Sequence, residues 1–317
     1  MNRSALTSRK FVVSGILILI LFILLGTIPS LFPGYTVVLF STIYMYVILT
    51  LSWVMFSGST GYISLATAAF FGVGVYTSAI IGIALPMPLI IVIGGAASFC
   101  LALLVGALTL RLRGVYFVMF TFGLVELILN FVLWWEVTIT GTTGRMVPTV
   151  GNTTVYYLML ILFAFLLLTA YLIKRSRRGL ALQSIGEYED AAAHTGVNVT
   201  MVKVTTFAIS AFFMGAAGAI MATRWTYIDP KIAFNPLLSF MPVVMAIFGG
   251  MGQLYGPVIG AAVLTYLEQF LITRFPYYYM LIFGIIMLFV ILYLPEGLVG
   301  LIQKLWQRIV GRKHEVT

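Results

Sequence analysis

Apolar residues run along this chain in long unbroken blocks rather than in alternation. Between residues 11 and 110 there is no Lys, Arg, Asp, Glu or His. A bilayer-crossing helix needs about 20 apolar residues, so this stretch holds about four spans, punctuated at Pro29/Pro33/Gly34, Gly58/Gly61 and Pro86/Pro88. Further blocks follow at 115–135, 155–173, 204–223, 236–252, 257–272 and 276–294. Barrel strands alternate polar and apolar positions over about ten residues, and these blocks do not. The expected fold is all-α: one transmembrane helical bundle over residues 1–317, with about ten segments, some of them discontinuous. A polar loop at 174–203 and a polar tail at 296–317 complete it.

Composition sharpens the class. The chain of 317 residues is 62% hydrophobic and 9% charged, with a mean hydropathy of +1.10; soluble domains are about a quarter charged. A soluble enzyme, a secreted disulfide scaffold and a nucleic-acid binder are excluded. The single cysteine, Cys100, allows no intramolecular disulfide and no zinc cluster. The methionines and aromatic residues read as packing surface rather than a redox site.

The net charge of +9 follows from topology. With the N-terminus in the cytoplasm, ten spans place every basic residue inside except Arg145, Arg224, Lys231 and Arg274, of 18 in all, as the positive-inside bias requires. Both termini are then cytoplasmic, and nucleic acid is not needed as a partner. The basic residues ahead of 11–25 have the form of a signal peptide, but no small-x-small cleavage site stands out, so an uncleaved first helix is expected.

Absences exclude most chemistry. The two histidines, His194 and His314, fall in the expected cytoplasmic segments, and no Ser–His pair shares one depth. The two aspartates, Asp190 and Asp229, fall on opposite sides of the membrane. There is no G-x-S-x-G elbow, no metal-ligand spacing and no G-x-x-x-x-G-K-[ST] phosphate loop. The chain is expected to be no enzyme and to bind no metal or cofactor. If ATP drives it, another polypeptide binds the nucleotide.

Small residues recur at four-residue spacing in Ser64–Ala68–Gly72, Ala211–Gly215–Ala219 and Gly252–Gly256–Gly260. Such faces let helices approach closely; they pack helices or line a translocation path. Breaker-rich runs lie at Gly58-Ser59-Thr60-Gly61 and Gly249-Gly250-Met251-Gly252, with Pro257 interrupting soon afterwards. Discontinuous segments of this kind serve transport paths. Two carboxylates fall within spans, Glu126 near the expected midplane and Glu268 nearer a helix end. Each is either a functional group or a buried carboxyl bonded between helices.

In the 174–203 loop, Ser184-Ile185-Gly186-Glu187 has the form of a capping box. Glu187, Glu189 and Asp190 suit the N-terminal dipole, Ala191, Ala192 and Ala193 favour helix, and Gly196 supplies a stop. A short helix over 185–195 is predicted, as a docking element or a solvated connector.

Four stretches together carry a family resemblance: 186–198 (GEYEDAAAHTGVN), 64–76 (SLATAAFFGVGVY), 110–117 (LRLRGVYF) continuing through Thr121 and Gly123 to Glu126, and 249–261 (GGMGQLYGPVIGA). In order, they resemble the permease subunits of branched-chain amino-acid ABC importers, of the LivM type within the LivH/LivM family. The resemblance implies a complex with a paralogous permease, two ATPases that use ATP and magnesium, and an extracytoplasmic binding protein, in the cytoplasmic membrane. It makes 186–198 the ATPase-coupling segment. Ala66-Thr67 stands where the family often has glycine followed by His or Gln, which leaves urea, short amides or aromatic acids as alternative cargo. A stand-alone proton-coupled carrier using Glu126 is the alternative mechanism.

Overall fold

The computed structural model describes residues 20–82, 84–293 and 297–301. The start of the first apolar block, and with it the signal-peptide question, lies outside the described residues, as does most of the 296–317 tail with His314.

Each apolar block holds a helix. Ile20–Leu31 (α1) is short and turns at Thr27; Gly34–Trp53 (α2) runs on into a π-helical turn, Val54–Gly58. Thr67–Ile81 (α3) and Met87–Thr109 (α4) follow. Val115–Trp135 (α5) also ends in a π turn, Glu136–Thr140, and Asn152–Arg175 (α6) comes next. Two helices, Arg177–Glu187 (α7) and Glu189–His194 (α8), precede Val199–Ala222 (α9). Pro230–Ala233 (α10), Leu237–Gly249 (α11), Tyr255–Arg274 (α12) and Tyr279–Tyr293 (α13) close the order. Among the described residues, seven helical stretches are long and apolar enough to cross a membrane, and Ile20–Leu31, Thr67–Ile81 and Tyr279–Phe289 are shorter apolar helices. One ribbon interrupts the all-helical plan: Arg145–Met146 pairs antiparallel with Tyr227–Ile228, Arg145 opposite Ile228.

α9 is the axis of the bundle. Its residues from Phe207 to Ala222 are buried with few exceptions, many of them Ala or Gly. In lipid, packing rather than the hydrophobic effect holds helices together, and small side chains permit it. A Cβ on Gly74 of α3 would collide with the carbonyl of Gly215 in α9, and one on Gly215 with Ser98 and the Gly94 carbonyl of α4. Three helices therefore meet at glycine.

The stripes read from the sequence are only partly helical faces. Ala211–Gly215–Ala219 lies wholly within α9. Ser64 sits in the non-helical stretch 61–66, so only Ala68 and Gly72 share α3, and Gly252 lies in the turn before α12. The four-residue rule presumes a helix that has not yet begun at Ser64 and Gly252. Pro257 breaks nothing: it occupies the first turn of α12, where a missing N–H removes no bond.

Candidate functional site

The break between α2 and α3 positions the site. Gly61 takes φ +74°, a conformation open to glycine, and the chain leaves helical geometry until Thr67. Backbone freed inside a membrane bundle must be re-bonded, and side chains do this. Trp53 Nε1 donates to the Ser64 carbonyl (2.7 Å), Thr121 Oγ1 accepts from Leu65 N (3.0 Å), and Ser239 Oγ accepts from Ala68 N (3.0 Å). Ser57 Oγ accepts from Ser64 N (3.4 Å). A tight crevice beside this stretch is lined by Ser57, Ser64, Thr67 and Ser210 among Trp53, Phe56, Phe70 and Phe207.

At the basic end of the bundle the break is tied to α8. Lys203, 3% exposed at its side chain near the start of α9, donates to Glu189 Oε1 (2.8 Å), to the Leu110 carbonyl (3.1 Å) and to Tyr62 Oη (3.1 Å). Tyr62 Oη donates to Glu189 Oε2 (2.6 Å), and the Lys203 ammonium lies 4.3 Å from the Tyr62 ring centroid. Arg113 reaches Asp190 Oδ1 at 2.8 Å and Glu189 at 3.8 Å. Burial pushes the Glu189 carboxyl up, but the bonds from Lys203 and Tyr62 and the charges of Lys203 and Arg113 outweigh it and hold the group below its ordinary range. The Arg113 hydrogen bond and charge lower Asp190, and burial followed by Glu189 raises the Tyr62 phenol. One charge cluster thus joins the α2–α3 break, the α4–α5 turn, α8 and α9.

The polar loop differs from its prediction. In place of one helix over 185–195 there are two, α7 and α8, separated by Tyr188 in extended geometry (φ −157°, ψ 99°). Ser184 caps nothing; its hydroxyl donates to the Leu180 carbonyl (3.1 Å). The cap is Ser176, whose Oγ accepts from Gly179 N (3.3 Å), so the helix begins at Arg177, seven residues before the box. Glu187 is exposed in the last turn of α7, not the first turn of a new helix. Gly196 does end α8, at φ +86°. Ala192 is buried, whereas Ala191 and Ala193 are exposed. A Cβ on Gly186 would strike the Ser59 carbonyl, a second contact of this helical pair with the break.

The intramembrane carboxylates also separate. Glu126 faces outward from α5, not into the bundle. Glu268 is half-buried in α12, its Oε2 without a hydrogen-bond partner among the described residues. In the second half, Gly249 packs on the Gly256 carbonyl, Gly256 on the Gly250 carbonyl, and Gly260 on the Met245 carbonyl, while Gly252 meets nothing. Gly72 lies against the Phe234 ring. Gly215, Gly249, Gly256 and Gly72 are therefore packing positions in this structure, and Ser64 alone of the sequence-derived path candidates lines the crevice.

A second polar cluster at the opposite end had no motif to announce it. Glu136, fully buried, accepts from Gly144 N (2.8 Å) and lies 3.5 Å from Arg145 Nε, whose guanidinium stands 4.8 Å from the Trp135 ring centroid. Tyr227 Oη donates to the Thr143 carbonyl (2.7 Å). The only signal for it is an acid and a base flanking the glycine-rich run 141–144.

The model of a family described as branched-chain amino acid transport system / permease component matches residues 35–291. The chain is similar to the high-affinity branched-chain amino acid transport system permease protein LivM of Salmonella typhimurium strain LT2, 29% identical over 293 residues, covering 80% of this chain and 67% of that one. It is similar to LivH, a permease protein of the same named system in that organism, at 30% over 141 residues, 43% of this chain and 44% of the other. The ribose import permease protein RbsC of Haemophilus influenzae is 29% identical over 117 residues, 36% of this chain and 35% of its own. No solved structure matches the chain.

Proposed function

The chain belongs to the branched-chain amino acid transport system permease family, and from that premise we propose that it is the membrane-spanning permease of an ATP-binding-cassette importer for branched-chain or related hydrophobic amino acids. It works beside a paralogous permease, two ATPases that hydrolyse ATP with magnesium, and an extracytoplasmic binding protein. The chain itself binds no nucleotide. Its basic end is cytoplasmic, with α7 and α8 receiving the ATPase.

The observation that carries this reading is the cluster of Lys203, Glu189 and Tyr62. It supports a coupling role because it ties α8 to the discontinuity at 61–66, while Leu180 and Tyr188 stay 64% and 70% exposed for a partner. Closure of an ATPase dimer would move α7 and α8, and the 57–66 stretch beside the crevice would follow. Similarity to a ribose import permease keeps the cargo class open to test. The decisive experiment purifies the complex from membranes, reconstitutes it, and measures uptake of branched-chain amino acids against ribose, urea and short amides. Concentrative uptake of branched-chain amino acids that stops without ATP or without the ATPase chains is expected. Uptake that persists without any ATPase overturns the reading.

A further inference from the structure

Among the described residues, the outward face of Val115–Thr140 is the one surface where a carboxylate and an amide stand exposed in the middle of an apolar span. Glu126 and Asn130 are one turn apart on it, with Gly123 a turn earlier. Around them Tyr116, Met119, Leu127, Phe131 and Trp134 are exposed. Glu126 lies about 17 Å of helical rise from Val115, close to the centre of a hydrocarbon core about 30 Å thick. The opposite face, with Phe117, Thr121, Leu124, Val125 and Ile128, is buried in this chain.

Among the described residues the Glu126 carboxylate has no hydrogen-bond or ion-pair partner. Asn130 Nδ2 donates to the backbone carbonyl of Glu126 (2.8 Å), not to its side chain. Ionisable groups at that depth face protein or water, not acyl chains. Gly123 has no atom within 4 Å of where a Cβ would stand, so a neighbouring backbone can approach there. The outward face of α6 behaves differently: its exposed residues at mid-helix, Ile161, Phe165 and Leu168, are all apolar, as a lipid-facing surface should be.

We propose that the face of Gly123, Glu126 and Asn130 is where a second, paralogous permease chain docks, presenting a neutral hydrogen-bond donor to Glu126 at the same depth. The inference rests on the reading of this chain as one permease of a pair. The similarity of the chain to both LivM and LivH supports a paralogue as the occupant. A neutral donor needs only an acceptor oxygen, which an amide supplies as well as a carboxyl does.

A benzophenone amino acid placed singly at Leu127 or Asn130, and at Phe165 or Leu168 as controls, tests it in the assembled complex purified from membranes. Adducts identified by mass spectrometry as this chain joined to the second permease are expected from 127 and 130 and not from 165 or 168. Beside this, Glu126→Leu should lower the recovered partner permease about three- to tenfold, a range set by single interhelical hydrogen bonds, while Glu126→Gln holds it near wild type. A complex that assembles and takes up substrate but gives partner adducts only from the α6 probes overturns the inference and leaves the importer reading standing. Equal recovery with Leu and Gln overturns the part assigned to Glu126. Purification with ATPases but without a second permease chain overturns the pairing itself, and the docking face with it.

Discussion

Lys203 Nζ lies 2.8 Å from Glu189 Oε1 although the two residues belong to different helices and Lys203 is all but sealed from solvent. The ammonium uses its three protons on Glu189, Tyr62 and the Leu110 carbonyl. Its position four residues into an otherwise apolar helix is stable only because those acceptors surround it.

Lys203→Met should therefore cost about 1–3 kcal/mol. Stranding one partner of a fully buried pair costs about 3–5 kcal/mol, discounted here because Glu189 is 20% exposed. The larger effect should be functional: ATP hydrolysis by the assembled complex continues while uptake falls. Hydrolysis and uptake measured on the same proteoliposomes check this, and full uptake would show the cluster to be only a brace.

The same contact predicts a pH window. Glu189 and Asp190 are held below their ordinary values of 4.5 and 3.8. A carboxyl depressed in the folded state contributes stability that is fully present above its unfolded value and lost as pH falls through the folded one. The difference in Tm between wild type and Glu189→Gln should stay constant from neutral pH down to about 5 and shrink below about 4.5. A difference that instead shrinks as pH rises from 6 to 8 contradicts this assignment.

At the opposite end, Arg145→Ala should leave the buried Glu136 without its cation, holding the Gly144 amide beside the Tyr76 phenol. A loss of about 3 kcal/mol is expected, read as a lowered unfolding midpoint in detergent. Arg145→Ala with Glu136→Gln should recover part of it, because the amide removes the uncompensated charge.

Glycine substitutions should split sharply. Gly74→Val drives a side chain into the Gly215 carbonyl, and because backbone cannot yield as a side chain does, the loss should exceed the about 1–3 kcal/mol of ordinary overpacking. Gly252→Ala meets open space at an ordinary φ and should stay within about 0.5 kcal/mol. Yield of folded protein in size-exclusion profiles distinguishes the two.

The helices were legible because a bilayer-spanning segment is written in composition, and the apolar blocks needed no partner to be recognised. Faces were not. In a helix apolar all round, periodicity does not separate the side turned to protein from the side turned outward, so Glu126 could be placed in depth but not in direction. Ser184 fits a capping box, yet Ser176 starts the helix earlier, and a local rule has no means of seeing which cap wins. Lys203 and the Glu136–Arg145 pair were missed because burial of a charge is decided by acceptors distant in sequence. A lysine near the start of an apolar helix was the hint for the first, and an acid and a base flanking residues 141–144 the hint for the second.

The joint at Tyr188 has a mechanical consequence. A single residue between two helices offers two soft torsions, so α8 can move relative to α7 with two degrees of freedom. The chain has fixed a point on each side of that joint: Gly186 lies against the Ser59 carbonyl, and Glu189 is clasped by Lys203 and Tyr62. Two constraints meet two freedoms, and little slack is left. On the importer reading the pair of helices would act as a rigid lever rather than a knuckle, and a push on its exposed side would arrive at residues 59–62 as displacement instead of being spent in bending.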